Sequence, residues 1–252
     1  HIIDIRETVK GLLRAKKFIA QLVAKGEDVL FVGTKRQARI LVQTHAQRVG
    51  MPYVTERWLG GTLTNFRTIR SRLARLEELE HEESEGILQE YSKKMIATRM
   101  RELRKIKRNL DGIRTLNRLP GALVIIDVHR EHNAVREAKK LHIPTVCLID
   151  TDSDPDFADV PIPGNDDAIR AIDAVLVHLA DAVEEGKKGR RAPEAKDGDE
   201  EAEPQQRRRS RRPATARAGD DGVAGEGETA PPAPAGAVRE SELATSRPED
   251  KS

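Results

Sequence analysis

Val29-Leu30-Phe31-Val32-Gly33 is the stretch that decides the fold, because four large apolar residues in a row end at a glycine. Two similar runs follow at Ala122-Leu123-Val124-Ile125-Ile126 and Thr145-Val146-Cys147-Leu148-Ile149. Strands that are apolar on both faces are typical of a parallel sheet covered by helices on either side. The three runs therefore predict a buried parallel sheet in an α/β domain.

Helical patterns alternate with these runs. One covers residues 4–25 and another residues 35–48, on either side of the first run. A third pattern lies between the second and third runs, and a last one starts near Asp166. This alternation predicts a three-layer domain with helices on both faces of the sheet.

Residues 66–118 interrupt the alternation, since they carry no strand signal. Their apolar residues recur at spacings of three and four, in two series separated by Gly86: Ile69, Leu73 and Leu76, then Ile96, Met100, Leu103, Ile106, Leu110 and Ile113. This pattern predicts an antiparallel helical hairpin with coiled-coil packing, inserted into the α/β domain. Arginines dominate the end nearest the domain, and glutamates cluster from Glu77 to Glu85.

The domain organisation follows from these patterns. Residues 1–65 and 119–186 form the predicted α/β core, and residues 66–118 form the hairpin. Residues 187–252 are rich in Ala, Pro, Arg and Glu and contain no aromatic residue, so they cannot bury enough apolar surface to offset chain entropy. This tail is predicted to be disordered, and its run Arg207–Arg212 either touches RNA without sequence preference or keeps the chain in solution.

Composition narrows the class of protein. The net charge is only +2 although 34% of residues are charged, so like charges are segregated along the chain. The single cysteine, Cys147, excludes an internal disulfide and is expected to be a buried structural thiol in a reducing compartment. No apolar run approaches the roughly 20 residues of a membrane span. We expect a cytoplasmic protein with no membrane partner, and a natural chain that starts before His1.

Nucleotide and metal motifs are incomplete. Gly33-Thr34-Lys35 lacks the spacing of a phosphate-binding loop. The alternating aspartates of residues 150–156 lack the glycine and the final glutamate of a calcium loop, so turn and capping roles are favoured and a magnesium role stays open. His129 and His132 have no third metal ligand. We find no nucleophile with a base, and we predict no enzyme activity, cofactor or metal.

The stretch from Arg57 to Arg67 holds the only tryptophan and a glycine pair, and a helix rich in arginine follows it. Glycines allow a partner to approach the backbone, and free N–H groups at a helix start suit an anion. The stretch therefore predicts phosphate binding rather than chemistry. Lys35, Arg36 and Arg39 could likewise contact phosphates of a polymer, with ordinary surface charge as the alternative.

Five motifs together resemble the bacterial small-subunit ribosomal protein S2 family. They are residues 31–35 (FVGTK), 57–65 (RWLGGTLTN), 119–120 (LP), 149–155 (IDTDSDP) and 162–170 (IPGNDDAIR), and the similarity covers residues 1 to about 185. The resemblance implies a flavodoxin-like α/β domain with a protruding coiled coil. The long tail and the preference for Arg over Lys also suggest an actinobacterial source.

The resemblance implies a role as well. Such proteins are structural constituents of the small ribosomal subunit, lie between its head and body, bind its rRNA and help to dock ribosomal protein S1 for mRNA recruitment. Neighbouring small-subunit proteins are expected as further partners. From charge and position we expect rRNA contacts at Lys35, Arg36, Arg39, Arg57, Trp58, Gly60, Gly61, Asn65, Arg67, Arg70, Arg72, Arg75, Arg101, Arg104, Lys105 and Arg108. The alternative is a flavodoxin-like domain that binds a nucleotide or another phosphate ligand.

Overall fold

A computed structural model describes the backbone of residues 2–87 and 91–194 and the side chains as far as residue 190. Its helices, which we number in chain order, are α1 Ile5–Ala24, α2 Arg39–Arg48, α3 Phe66–Ser84, α4 Lys93–Leu110, α5 His132–Lys140 and α6 Ile169–Glu194. Its strands are β1 Val29–Val32, β2 Tyr53–Val54, β3 Ala122–Ile126, β4 Thr145–Ile149 and β5 Val160–Pro163. Short 3₁₀ turns cover Asp111–Ile113 and Pro155–Phe157.

The five strands form one parallel sheet in the order β2-β1-β3-β4-β5. This is the flavodoxin-like order of a doubly wound sheet. Strand β2 is added on one side of β1, and strands β3, β4 and β5 are added on the other side. The predicted fold class is therefore confirmed. Two of the strands, β2 and β5, carry no apolar run and were not predicted.

Strand side chains alternate between two hydrophobic layers, as the pleat requires. Phe31, Val124 and Val146 face the layer that contains α1, α2 and α6. Leu30, Leu123 and Cys147 face the opposite layer, which contains α5 and residues from both ends of the inserted segment. The sheet is thus covered on both faces, which explains why its strands are apolar throughout.

Local signals fix where several helices begin and end. The Asp4 side chain accepts a hydrogen bond from the Arg6 N–H at 2.9 Å and caps α1, which ends before Gly26 with φ +85°. Asn165 accepts from the backbone N–H groups of Asp167 and Ala168 at 2.8 Å each, just before α6. The second helix starts at Arg39 rather than at the predicted residue 35, because residues 36–38 form a turn that precedes the helix.

Helix α6 continues past the predicted domain boundary at residue 186. Gly186 lies inside the helix, where a Cβ would meet the Ala20 carbonyl oxygen of α1 at 2.7 Å, so the glycine permits close packing instead of ending the helix. Lys187 donates to the Val49 carbonyl. The predicted tail lies outside the described residues from residue 195 onward. Within the residues that the structure describes, no helix is long and apolar enough to cross a membrane.

Helices α3 and α4 lie within the segment predicted as a hairpin. Leu76 and Leu79 of α3 pack against Leu103 of α4, with Ile106 at their border. Ile69 and Leu110 join the sheet-facing layer instead, so the base of the helix pair is part of the domain core. The coiled-coil character of the packing stays a prediction.

Candidate nucleic-acid interface

The turn formed by residues 57–65, which we call the Gly-Gly turn, closes around one carboxylate. Glu137 of α5 accepts hydrogen bonds at Oε1 from the Trp58 indole N–H (3.0 Å) and the Gly61 N–H (2.8 Å). At Oε2 it accepts from the Leu63 N–H (3.0 Å) and from Thr64, through its N–H (3.1 Å) and its hydroxyl (3.2 Å). The arrangement joins the turn to a helix more than 70 residues away in the sequence.

The electrostatics of Glu137 match this geometry. Partial burial alone would raise its pKa, but the Trp58 hydrogen bond and those from the backbone of the turn outweigh burial and hold the pKa below its usual value. Glu137 therefore remains charged at neutral pH. The donors that the sequence predicts to be free for a phosphate are taken by a carboxylate of the protein itself, and an RNA contact by Trp58 or Gly61 stays a prediction.

Lys35 is also engaged inside the protein. At the carboxyl ends of the strands its Nζ lies 2.5 Å from Asp166, 2.6 Å from Asp167 and 3.2 Å from Asp127, and its side chain is only 13% exposed. Burial would lower the pKa of Lys35, but hydrogen bonds to Asp166 and Asp167 outweigh it and raise the pKa. Because three carboxylates surround the ammonium group, Lys35 is poorly placed to meet a phosphate, and the RNA contact expected from the sequence stays a prediction.

A second buried contact closes the same edge of the sheet. The Thr34 N–H donates to Glu131 at 2.9 Å, and the Thr34 hydroxyl also donates to this carboxylate. Burial raises the pKa of Glu131 despite these bonds. A Cβ on Gly33 would lie 2.8 Å from Val42, so this glycine allows internal packing rather than ligand approach.

The crevice at the switch point of a doubly wound sheet is where such folds bind ligands. Here the crevice contains Lys35 and the three carboxylates that surround it. Carboxylate oxygens of Asp150, Asp166 and Asp167 lie within 4.8 Å of one another. Several negative charges in one place repel a phosphate. The geometry therefore disfavours the alternative of a nucleotide- or phosphate-ligand-binding domain.

The acidic loop after β4 mostly serves the backbone. Asp150 accepts from the Thr151 N–H at 2.6 Å, and Asp154 accepts from the Asp156 N–H at 3.0 Å and caps the 3₁₀ turn. These contacts confirm the turn and capping roles expected for both residues. Cys147 is buried, as predicted, and burial raises the pKa of its thiol to about 12.

Four of the predicted RNA-contacting arginines have partners within the protein. Arg39 lies 3.4 Å from Glu56, and Arg108 lies 2.7 Å from the same carboxylate. Arg70 donates to the Asn117 carbonyl at 2.8 Å, and Arg75 lies 2.9 Å from Glu78. Arg108 remains 69% exposed in spite of its ion pair, so it still presents charge to solvent.

Seven of the predicted cationic side chains are exposed and form no ion pair among the described residues: Arg36, Arg57, Arg67, Arg72, Arg101, Arg104 and Lys105. Three of them lie on α4, where the spacing places Arg101, Arg104 and Lys105 together with Arg108 on the face opposite the buried Leu103. Arg101 and Arg104 donate only to helix carbonyls one turn earlier. This face of α4 is the most concentrated positive surface among the predicted contact residues.

Part of the glutamate cluster is neutralised within the hairpin. Glu80 accepts two hydrogen bonds from Arg114 at 2.7 and 2.8 Å and lies 3.1 Å from Lys107, and these contacts, the Arg114 bonds first, lower its pKa to about 2. Glu82 is paired with Arg99. The cluster from Glu77 to Glu85 therefore carries less unpaired negative charge than its sequence suggests.

A small open cleft lies beside the Gly-Gly turn, and we call it the Gly60 cleft. It has a volume of about 310 Å³ and is lined by Leu59, Gly60, Gly61, Asn65, Thr68, Ile69 and Arg72. A Cβ built on Gly60 would meet no atom within 4 Å, whereas Gly61 has φ +89° and would be strained with any side chain. A glycine at position 61 is thus required by the backbone conformation, whereas the protein itself leaves room for a side chain at position 60.

Glu137 is the residue of this region that sequence reasoning missed. It lies in an ordinary charged helix, and nothing local marks it. The available signal was indirect, since a buried Trp N–H and the N–H groups of a glycine turn need an acceptor.

Comparison with known proteins gives a consistent picture. A family model described as ribosomal protein S2 matches residues 1–186. The chain is 61% identical to the small ribosomal subunit protein uS2 of Rhodopirellula baltica over 187 residues, which is 74% of this chain and 72% of that protein. It is 50% identical to uS2 of Acidothermus cellulolyticus over 205 residues (81% and 74%) and 47% identical to uS2c of Rhodomonas salina over 200 residues (79% and 82%).

Proposed function

The chain belongs to the ribosomal protein S2 family, and from this membership we propose that it is a structural constituent of the small ribosomal subunit that binds small-subunit rRNA between head and body. Its relatives are named as small-subunit proteins rather than enzymes. The sequence prediction of a ribosomal, non-enzymatic protein agrees with the family match.

The observation that carries the rRNA proposal is the outward face of α4. Arg101, Arg104 and Lys105 are exposed and have no acidic partner among the described residues, and Arg108 adds a fourth charge on the same face. Cations that are not neutralised internally are available to replace the counterions of a phosphate backbone. Arg57, Arg67 and Arg72 extend the positive surface to the Gly-Gly turn.

The arrangement favours recognition of RNA shape. The α4 cations lie on a regular helix. Its last residue, Leu110, packs in the sheet-facing core together with Ile113 of the 3₁₀ turn that follows. Phosphate contacts position a protein on nucleic acid and carry little sequence information by themselves. The helix pair therefore acts as a rigid, charged arm that sets the orientation of the domain against the RNA.

The further part of the proposal concerns partners. Docking of ribosomal protein S1, and through it mRNA recruitment, is supported by the family resemblance. It is tested by adding the chain to small subunits that lack their own S2 protein and measuring how much S1 they retain. Equal S1 retention with and without the chain would refute this part alone.

The rRNA interface is tested by charge reversal. The triple variant Arg101→Glu, Arg104→Glu, Lys105→Glu is compared with a control, Arg14→Glu, Lys17→Glu, Lys188→Glu, which changes the net charge equally at exposed positions of α1 and α6. The measurement is co-sedimentation with small subunits that lack S2, over a series of salt concentrations. Loss of three phosphate contacts should reduce the slope of log affinity against log salt by about 2 to 3.

The outcomes separate two levels of the proposal. Failure of the unmodified chain to bind would reject rRNA binding. Equal binding by the triple variant and the control would leave rRNA binding intact and show that the α4 face is not where it occurs.

A further inference from the structure

The Gly60 cleft has the shape and chemistry of a site for a single flat group. Its volume of about 310 Å³ is at the lower limit of ligand pockets, which range from about 300 to 1,000 Å³. Leu59 and Ile69 supply apolar walls, and the bare backbone of Gly60 and Gly61 forms its rim. Such a cleft admits one ring and excludes a paired duplex.

Polar groups are placed where a ring edge would need them. The Asn65 Oδ1 accepts a hydrogen bond from the Thr68 hydroxyl at 2.8 Å, which fixes the orientation of the amide. Among the described residues nothing accepts from the Asn65 amide N–H₂ group, so its donors are available to the cleft. Arg72, on the cleft wall, is exposed and forms no ion pair within the described part of the chain.

We propose that the Gly60 cleft binds one unpaired RNA nucleotide, with the base between Leu59 and Ile69 and its phosphate on Arg72. Unpaired bases are the usual targets of specific RNA recognition, in which their faces stack on aromatic rings or arginine planes while their edges are hydrogen-bonded. In this cleft the aliphatic side chains of Leu59 and Ile69 take the place of an aromatic ring. The Asn65 amide donates to an acceptor on the base edge. The inference rests on the proposed rRNA binding and adds to it a site that reads an individual nucleotide.

Charge complementarity favours RNA over a peptide as the occupant. Arg57 is the first residue of the Gly-Gly turn and Arg67 follows the turn in α3, and both are exposed without an ion pair among the described residues. Glu137 accepts the hydrogen bonds of the turn inside the protein, whereas Arg72 on α3 is exposed without an ion pair among the described residues and is available to a second anion. A phosphate supplies that anion, and its base supplies the ring.

Gly60 provides a selective test. Because a Cβ at this position meets no protein atom within 4 Å, Gly60→Val should fold normally while it adds a branched side chain to the lining of the cleft. Gly189→Ala is the matched control, since a Cβ there also meets nothing within 4 Å, on α6 far along the chain. Arg72→Gln tests the phosphate contact separately, and thermal unfolding of each variant verifies the fold.

The experiment uses the full chain bound to small subunits that lack S2, with dimethyl sulfate and 2′-hydroxyl acylation as probes of individual nucleotides. We expect the unmodified chain and Gly189→Ala to protect one unpaired nucleotide that Gly60→Val leaves reactive. Loss of one buried base should weaken binding by up to about tenfold, the lower end of the range for a base stacked on an aromatic ring, because the walls here are aliphatic. Arg72→Gln should weaken binding and reduce the same protection.

Two results overturn the inference. If Gly60→Val binds with unchanged affinity and unchanged protections, the cleft is not a nucleotide site, although rRNA binding stands. The same holds if Gly60→Val releases a bound protein while all nucleotide protections persist, because the occupant is then a peptide. If the unmodified chain does not bind subunits at all, the proposed function fails together with the inference.

Discussion

Glu137→Gln is the perturbation that tests the architecture of the Gly-Gly turn most directly. A carboxylate satisfies all of its donors with two oxygens, whereas a glutamine has only one oxygen and brings an N–H₂ group of its own. If the oxygen keeps Trp58 and Gly61, the N–H₂ group faces the N–H groups of Leu63 and Thr64. The charge-assisted bonds from these two N–H groups and from the Thr64 hydroxyl are lost, although the hydroxyl can turn to accept from the new N–H₂ group, and the two bonds that remain become neutral.

The expected cost follows from these bonds. A hydrogen bond to a charged group contributes about 1.5–3 kcal/mol, and water near the exposed Thr64 recovers part of the loss, so we expect destabilisation of about 3 kcal/mol. For a chain of this size that corresponds to a fall in Tm of about 6–12 °C. The indole of Trp58, the single tryptophan of the chain, reports on the same contact by fluorescence.

The assay is thermal unfolding followed by circular dichroism and by tryptophan fluorescence at pH 7. Glu77→Gln is the control, because Glu77 is exposed on α3 and forms no ion pair among the described residues. The pKa of Glu137 is lowered in the folded state, so its contribution to stability is present above the unfolded pKa and disappears as pH falls through the folded value. The difference between Glu137→Gln and the unmodified chain should therefore shrink in acid. A Tm within about 2 °C of the control at pH 7 would refute the reasoning, because 3 kcal/mol cannot produce so small a shift.

Two further predictions concern Cys147 and Gly112. The Cys147 thiol should react with a disulfide reagent at pH 8 at least roughly a thousandfold more slowly in the folded chain than in denaturant, because burial raises its pKa to about 12; equal rates, followed by absorbance, would show that the thiol is accessible. Gly112→Ala should destabilise the chain by about 1–3 kcal/mol, because the new Cβ would lie 2.2 Å from the Tyr53 carbonyl oxygen, whereas Gly189→Ala should not. Denaturant titration measures both variants, and equal midpoints would contradict the predicted clash.

The fold was predictable where burial is continuous along the sequence. Strands β1, β3 and β4 are buried on both faces, so each leaves an apolar run. Strand β5 escaped prediction because Pro161 and Pro163 argue against a strand. It is an edge strand, and its prolines alternate with residues whose N–H groups can donate to β4. The Gly164 N–H, directly after the strand, donates in this way to the Ile149 carbonyl at 2.9 Å.

The candidate interface was predictable only where charge faces outward. The α4 cations follow from helical spacing alone. The partners of Lys35 and the acceptor of the Gly-Gly turn do not follow from it, because these contacts join residues more than 70 positions apart. The sequence around a cation or a hydrogen-bond donor does not indicate whether a carboxylate from a distant part of the chain will pair with it.

The bonds at Glu137 also determine how accurately the hairpin points. Helix α3 has 19 residues, which at 1.5 Å per residue is about 28 Å of arm extending from the Gly-Gly turn. A tilt of only about 5° at the base would therefore move the far end by about 2.5 Å, enough to break a hydrogen bond there. Because five donors hold the Glu137 carboxylate at the base of the arm, a small displacement there becomes a larger displacement at the far end of α3.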